Sequence, residues 1–253
     1  MNKEIRHREI LDYIQINKRA TVTELANKFS ITEATIRRDL NELSESQLIQ
    51  RTRGGAVGII YRYIEDEYDV RQVSHFTEKQ SIARKALELV DDGDSIILDS
   101  GTTTYELAKL LHMKKDLTII INDFNIYNIL RGQPNIKLIF AGGVIIEEYN
   151  EISVGIPNKE FYSKYSVNKA FMGVMSVELD SGVYHSNMDV SYAKQGMVEN
   201  AEQIILLVNH TKFESKSMYR ITSMDNIDYI VTDSDFNEKL YDVPSHIKVM
   251  KAE

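Results

Sequence analysis

Apolar residues fall at helical spacing through the first 45 positions and as short runs thereafter, and this change of period divides the chain. Ile10, Leu11, Tyr13 and Ile14 make one stripe of a helix over residues 3–17. Thr21 followed by Glu24 is a capping-box pattern, and Leu25, Ala26 and Phe29 give the second, shorter helix its inner face. Thr32 is placed to cap a third helix, in which Ile36, Leu40 and Leu43 recur at i, i+4 and i+7. That spacing leaves Glu33, Ala34, Thr35, Arg37 and Arg38 on the outer face. Beyond residue 76 the pattern becomes strand-sized apolar runs: Ser95–Leu98, Leu117–Ile121, Ile136–Phe140, Ala170–Val174, Gln203–Val208 and Tyr229–Thr232. Helical segments separate several of them, at Tyr105–Leu111, Phe124–Leu130, Asn158–Tyr165 and Val190–Ala201. A further helix is expected from a Thr77–Gln80 capping box through Ile82, Ala83, Ala86 and Val90. Short buried strands alternating with helices predict an α/β fold with a mostly parallel sheet.

The opening three helices are followed by Arg51-Thr-Arg-Gly-Gly-Ala56, a basic segment with a Gly-Gly turn. A cationic helix and a cationic hairpin about ten residues apart suit a winged helix-turn-helix, whose third helix enters the major groove of DNA while the wing lies along phosphates. The residues expected at double-stranded operator DNA are Thr32, Glu33, Ala34, Thr35, Arg37 and Arg38 of the helix, with Arg51 and Arg53 of the wing. The domain boundaries that follow are a head at 3–58, a connector at 59–75 and a body at 76–253.

Net charge sharpens this division. The whole chain carries −8, but residues 1–58 hold ten Lys/Arg against eight Asp/Glu, and the rest hold twenty against thirty. A head of +2 on a body of −10 directs DNA to one end of the molecule. The chain has no cysteine, which excludes disulfides, thiolate metal sites and cysteine nucleophiles. Met1–Arg8 has no apolar run after its charges, so no signal peptide is read there, and runs such as Ile204–Val208 are too short to span a bilayer. A cytoplasmic location is the expectation, with no membrane association.

A second site is expected at the carboxyl ends of the body's strands, where open α/β sheets bind ligands. Asp99-Ser-Gly-Thr-Thr-Thr104 joins a strand to a helix through a glycine turn, so main-chain N–H groups and hydroxyls of Ser100, Gly101, Thr102, Thr103 and Thr104 could cradle a phosphate. Asn122, Gly142, Gly143, Lys194 and Lys212 follow or flank other strands that could face the same crevice, the glycines by letting a ligand approach the backbone. No Walker or dinucleotide fingerprint occurs, which favours a small phosphorylated metabolite over a nucleotide. The six histidines show no metal-ligand spacing, no nucleophile elbow is present, and neither a metal nor a cofactor is expected.

These motifs together resemble the DeoR family of bacterial transcription regulators, nearly end to end. Thr35-Ile-Arg-Arg-Asp-Leu40 and Arg53-Gly-Gly-Ala56 are similar to the family's DNA-binding head. Arg71, Glu78-Lys79, Ile82-Ala83, Asp99-Ser-Gly-Thr-Thr103, Asn122, Gly142-Gly143, Lys194 and Lys212 are similar to its sensor domain in order and spacing. The resemblance implies a body related to ribose-phosphate isomerase, a sugar-phosphate effector, a homo-oligomer (dimer or tetramer) and repression of a sugar-metabolism operon. The chain departs from the family's usual residues at Arg53, Ile121, Asn209 and Val190, three of which flank the expected effector pocket. Two rival readings stand beside this one: a sugar-phosphate isomerase or deaminase with a DNA-binding appendage, and a DNA-binding protein that answers to no effector. The isomerase-type Asp-Gly-Ala-Asp segment is absent, so no enzyme activity is expected.

Overall fold

The computed structural model describes residues 3–17, 19–45, 49–58, 60–61, 68–146 and 152–253. Contacts divide the chain into two compact units, Met1–Tyr61 with Glu214–Lys216, and Arg62–Phe213 with Ser217–Glu253.

The first unit runs α1 (Lys3–Asn17), β1 (Arg19–Thr21), α2 (Val22–Phe29), α3 (Glu33–Glu45), β2 (Ile49–Thr52), β3 (Gly55–Gly58) and β4 (Ile60–Tyr61). The Thr21 hydroxyl accepts the Glu24 N–H at 3.2 Å and the Thr21 N–H returns to Glu24 Oε2 at 2.7 Å, so the capping box forms as the sequence predicts. Ser30 ends α2 in the left-handed region, and Thr32 Oγ1 then accepts the Thr35 N–H at 3.3 Å to start α3. Ile10, Ile14, Leu25, Ile36, Leu40, Leu43 and Ile49 form one buried cluster, which is why three amphipathic helices fold as a unit. Asp39 is buried beneath it and accepts Arg6 Nε at 2.6 Å and His7 Nε2 at 3.0 Å. Burial opposes its charge, but these bonds more than offset that and hold its carboxyl below the usual range. Strands β1, β3 and β2 close an antiparallel sheet in that order. Gly55 is required there, because a side chain would overlap the Ala20 carbonyl on the neighbouring strand.

The second unit is built on seven parallel strands: β5 (Ser95–Leu98), β6 (Leu117–Ile121), β7 (Ile136–Phe140), β10 (Val167–Met172), β13 (Ala201–Leu207), β16 (Tyr229–Thr232) and β17 (Lys248–Lys251). Their order is β17-β16-β13-β10-β5-β6-β7. Along each inner strand, alternate residues enter different cores. Ile97, Ile120, Ala170, Met172 and Leu206 share one cluster; Ile96, Leu98, Ile119, Ile121, Phe171, Ile205 and Leu207 share the other. Both faces are covered, which explains the uninterrupted apolar runs. The first face meets Tyr162 of α8 (Ile156–Tyr162) and Met197 of α9 (Met188–Glu199). The second meets α5 (Phe76–Leu87), α6 (Thr102–Ala108) and α7 (Phe124–Leu130).

Several boundaries differ from the sequence expectation for identifiable reasons. Helix α5 begins at Phe76 with His75 as its cap in the left-handed region, and the expected Thr77–Gln80 box does not cap it. Helix α6 starts three residues before Tyr105, directly on the threonines, and α8 starts at Ile156 because Pro157 suits a helix's first turn. Strand β10 begins at Val167, where it pairs with Ala201, rather than at Ala170. Helix α4 (Tyr68–Val73) lies within the stretch expected as a connector, whose residues 59 and 62–67 are outside the described set. An antiparallel sheet of β11 (Ser176–Glu178), β12 (Gly182–His185) and β15 (Tyr219–Thr222), a hairpin of β8 (Val144–Ile146) with β9 (Ile152–Val154), and edge strand β17 were not foreseen. Strand β14 (Ser215–Lys216) pairs parallel with β4 inside the first unit.

Candidate functional sites

The first site is the outer face of α3. Burial of Ile36, Leu40 and Leu43 turns Thr32, Glu33, Ala34, Arg37 and Arg38 outward, and all five are exposed. Arg37 reaches the exposed Glu33 at 3.1 Å and Arg38 reaches the half-buried Glu42 at 3.4 Å, each one helical turn away, partners that DNA phosphates could replace. Arg53 is exposed at the wing's turn. Two expected contacts are placed differently. Thr35 is half-buried with its hydroxyl 2.9 Å from that of Thr32. Arg51 is drawn inward: its Nε donates to Asn41 Oδ1 at 3.0 Å and its guanidinium also binds the Gly55 carbonyl, so it braces the wing against α3.

The second site follows from strand order. Strand β5 is flanked by β6 on one side and β10 on the other, so successive connections diverge there and open a crevice at the carboxyl ends. Asp99, directly after β5, and Lys194 of α9 form a fully buried ion pair across it. Lys194 Nζ also donates to the Gly173 carbonyl at 3.0 Å, while the Gly173 N–H donates to Asp99 Oδ2 at 3.0 Å. Burial raises the Asp99 carboxyl pKa, an effect the Lys194 ammonium opposes. Each charge is thereby partnered, as a buried pair requires.

Beside this pair lies a cavity with about 290 Å³ of space between atoms, part of it open to solvent. Ser100, Gly101 and Lys194 line it, as the sequence leads one to expect. Tyr68 and Arg71 of α4, Asp123, Ile152, His185 and Val190 complete it. Several cations act electrostatically on the groups beside the cavity. His185 is buried and accepts the Asn187 N–H on Nδ1 at 3.1 Å; burial, then Lys194, Arg71 and Lys212, hold its pKa well below the usual value. Lys79 is lowered to about 8 by burial and then by Lys212 and Arg71. Against these cations stands Asp123, which caps α7 by accepting N–H groups of Asn125 at 2.7 Å and Ile126 at 3.0 Å. Burial lifts it to about 6, with Asp99 adding to the rise.

Other expected pocket residues serve the frame. Thr102 and Thr104 are buried, the latter donating its hydroxyl to the Gly101 carbonyl at 2.9 Å, and Thr103 is half-buried; none of the three lines the cavity. Asn122 is buried and donates to the Ser153 carbonyl at 2.9 Å, tying β6 to β9. Gly143 does not leave room for a ligand, because a Cβ there would stand 2.6 Å from the Val154 carbonyl of the paired strand, whereas Gly142 is open. Lys212 follows β13 in a short 3-10 segment, within electrostatic reach of His185 and Lys79. His210, Asp233 and Asp235 converge, with ligand atoms within 4.8 Å, although 23 residues separate the first two. Asp233 there accepts His210 Nδ1 and the main-chain N–H groups of His210 and Asp235, which fixes the turn. Of the cavity residues not foreseen as ligands, Arg71 and Asp123 stood in or beside recognised motifs. Val190 was singled out only as a departure from the family's usual residue, while Tyr68, Ile152 and His185 come from three further elements and carry no signal in sequence.

Comparison with known proteins decides the family. The DeoR-like helix-turn-helix domain matches residues 6–60, and the DeoR C terminal sensor domain matches residues 74–234. The chain belongs to the DeoR family. As a member it is a DNA-binding transcription regulator with a helix-turn-helix head and a C-terminal sensor domain. The HTH-type transcriptional repressor GlcR of Bacillus subtilis (strain 168) is 32% identical over 96% of this chain and 93% of its own length. The glycerol-3-phosphate regulon repressor of Escherichia coli (strain K12) is 29% identical over 92% of both. Among solved structures, ribose 5-phosphate isomerase A from Methanocaldococcus jannaschii aligns with a TM-score of 0.41 at 20% identity over 55% of each chain. Among the described residues no helix is long and apolar enough to cross a membrane.

Proposed function

We propose that this DeoR-family regulator is a repressor of a sugar- or polyol-metabolism operon, and that a small phosphorylated sugar bound at the β5–β10 crevice controls it. The observation that carries the reading is the cavity at a topological switch, lined by the Ser100-Gly101 turn, Arg71, Lys194 and Asp123, with Lys212 within electrostatic reach of His185 beside it. The Escherichia coli relative is by name the repressor of a regulon for a phosphorylated polyol, which supports the same ligand class.

The head (3–58) reads the operator through Glu33, Ala34 and Arg37, while Arg38 and Arg53 grip phosphates. A connector (59–75) carries the state of the body to it, and homo-oligomers in the cytoplasm place two or more heads on repeated half-sites. One head alone buries too little surface for genomic specificity. We read the chain as a regulator and not as an enzyme: the family is one of transcription regulators, Asp99 is ion-paired with Lys194, and Asp123 caps the first turn of α7.

The test is a thermal-shift screen of phosphorylated sugars, with operator release or recruitment measured for each hit. Arg37→Ala should cost about 1–3 kcal/mol at the cognate sequence, and Arg38→Ala should weaken all sequences alike and lower the salt slope by about one. A stabilising sugar that leaves operator binding untouched would overturn the control mechanism. Turnover of a phosphosugar would revive the isomerase reading, and no shift with any of them would leave an effector-independent DNA binder.

A further inference from the structure

The cavity is not closed by strand ends alone. Its Tyr68 and Arg71 wall comes from α4, the first described helix after residues 62–67, and so from the part of the chain that leads out of the DNA-binding head. Tyr68 and Arg71 are three residues apart and share one helical face, with the guanidinium 5.6 Å from the centre of the Tyr68 ring. The Tyr68 hydroxyl is shut off from solvent and has no hydrogen-bond partner among the described residues. A buried donor without an acceptor costs free energy, and native proteins leave few of them. Its surroundings keep it a donor: burial, and then the negative charge of Asp123, raise its pKa above the ordinary tyrosine value, so the proton stays on at any physiological pH.

Neither carboxylate of the site accepts the Tyr68 hydroxyl. Asp123 receives the N–H groups that start α7, and Asp99 receives Lys194 and the Gly173 N–H. What the hydroxyl lacks is an oxygen in the cavity itself, beside the Arg71 cation. Resting on the effector-pocket reading above, we infer that Tyr68 is the ligand-sensing residue of the site: its hydroxyl donates to a phosphate oxygen of the effector, and the effector thereby pins α4. A site that supplies a buried donor discriminates sharply against ligands lacking the matching acceptor. A ligand that fixes α4 also restrains the segment entering it from the head, which gives occupancy of the body a physical route to the DNA-binding end.

Tyr68→Phe separates these roles, since it deletes one hydroxyl and keeps the ring. Inorganic phosphate and glycerol 3-phosphate serve as probes in calorimetry on the full chain, with hydrogen exchange followed at residues 68–73. In the wild type, the probe binds and slows exchange across 68–73. In Tyr68→Phe, affinity falls about tenfold and that protection is lost. Ligand-free operator affinity is unchanged, and the ligand-free melting temperature is equal or higher because an unsatisfied donor has been removed. If the variant binds the probes as tightly as the wild type with the same protection, Tyr68 is only a wall and the inference is wrong while the pocket stands. If the variant melts lower and loses operator affinity without ligand, the hydroxyl is structural and the inference is equally wrong. If the wild type binds neither probe, the pocket reading itself has failed.

Discussion

Asp123 holds two positions at once. Its carboxylate caps α7, and its side chain borders the cavity, where burial lifts its pKa to about 6. An unfolded aspartate titrates near 3.9, so the native state favours the protonated form. The stability this group contributes is therefore fully present below about pH 4 and is lost as pH rises through about 6. Two pK units correspond to roughly 3 kcal/mol, an order of magnitude for the cost of keeping the charge at neutral pH. Asn in its place retains an oxygen to accept the Asn125 and Ile126 N–H groups without the charge. Asp123→Asn should thus be more stable than the wild type at pH 7.5, by up to about 3 kcal/mol, with the gap closing toward pH 4. Urea unfolding of both proteins at the two pH values measures it, and parallel pH profiles would show that Asp123 is not the titrating group.

At the scale of elements, the wing depends on one close approach. Strand β3 passes β1 so tightly that Gly55 has no room for a methyl group against the Ala20 carbonyl, and the obstacle is backbone, which cannot turn aside. Gly55→Ala should destabilise the head by about 1–3 kcal/mol or more and reduce operator binding, while phosphosugar binding by the body stays intact. Calorimetric scans resolving the two units would check this; a head that melts as the wild type does would mean the strands can separate without loss. Much of this level was legible in sequence. The three helices of the head, the Thr21–Glu24 box and strands β5, β6, β7 and β16 follow from local period, because each buries its own apolar pattern. What was not legible lacks a local signature. Strand β17 reads Lys-Val-Met-Lys and sits at a sheet edge, so its pattern is half polar. Helix α4 is six residues of mixed character. The inward turn of Arg51 and the commitment of Thr104 to the Gly101 carbonyl depend on partners that only folding supplies. The cavity lining was legible at Ser100, Gly101 and Lys194, and illegible where topology imports Tyr68, Ile152 and His185.

Across the whole molecule, charge distribution makes a quantitative demand. The body carries −10 and the head only +2, so binding has to run through the head's outward cations: Arg37, Arg38 and Arg53 on α3 and the wing, with Lys3, Arg19 and Lys28 exposed elsewhere on the head. Arg51 is spent inside the wing and Arg6 is spent on Asp39. If α3 and the wing alone meet DNA, their three cations per head, in the groove or on the backbone, give about six neutralised phosphate charges on two heads, and each contributes about −0.9 to the slope of log affinity against log salt. Two heads on one operator therefore predict a slope near −5, a loss of about a thousandfold in affinity between 50 and 200 mM salt, whereas a single head predicts a slope near −3. Titrating operator binding over that range, with sedimentation of the same complex, tests the homo-oligomer and the cation assignment together. A slope near −5 from a monomeric complex would mean that cations beyond α3 and the wing, such as Lys3, Arg19 and Lys28, reach the DNA. A dimeric complex with a slope near −3 would mean that the pairs Arg37–Glu33 and Arg38–Glu42 persist when DNA is bound. Such surface pairs are worth under about 1 kcal/mol, so a phosphate should displace them and the steeper slope is the expected result.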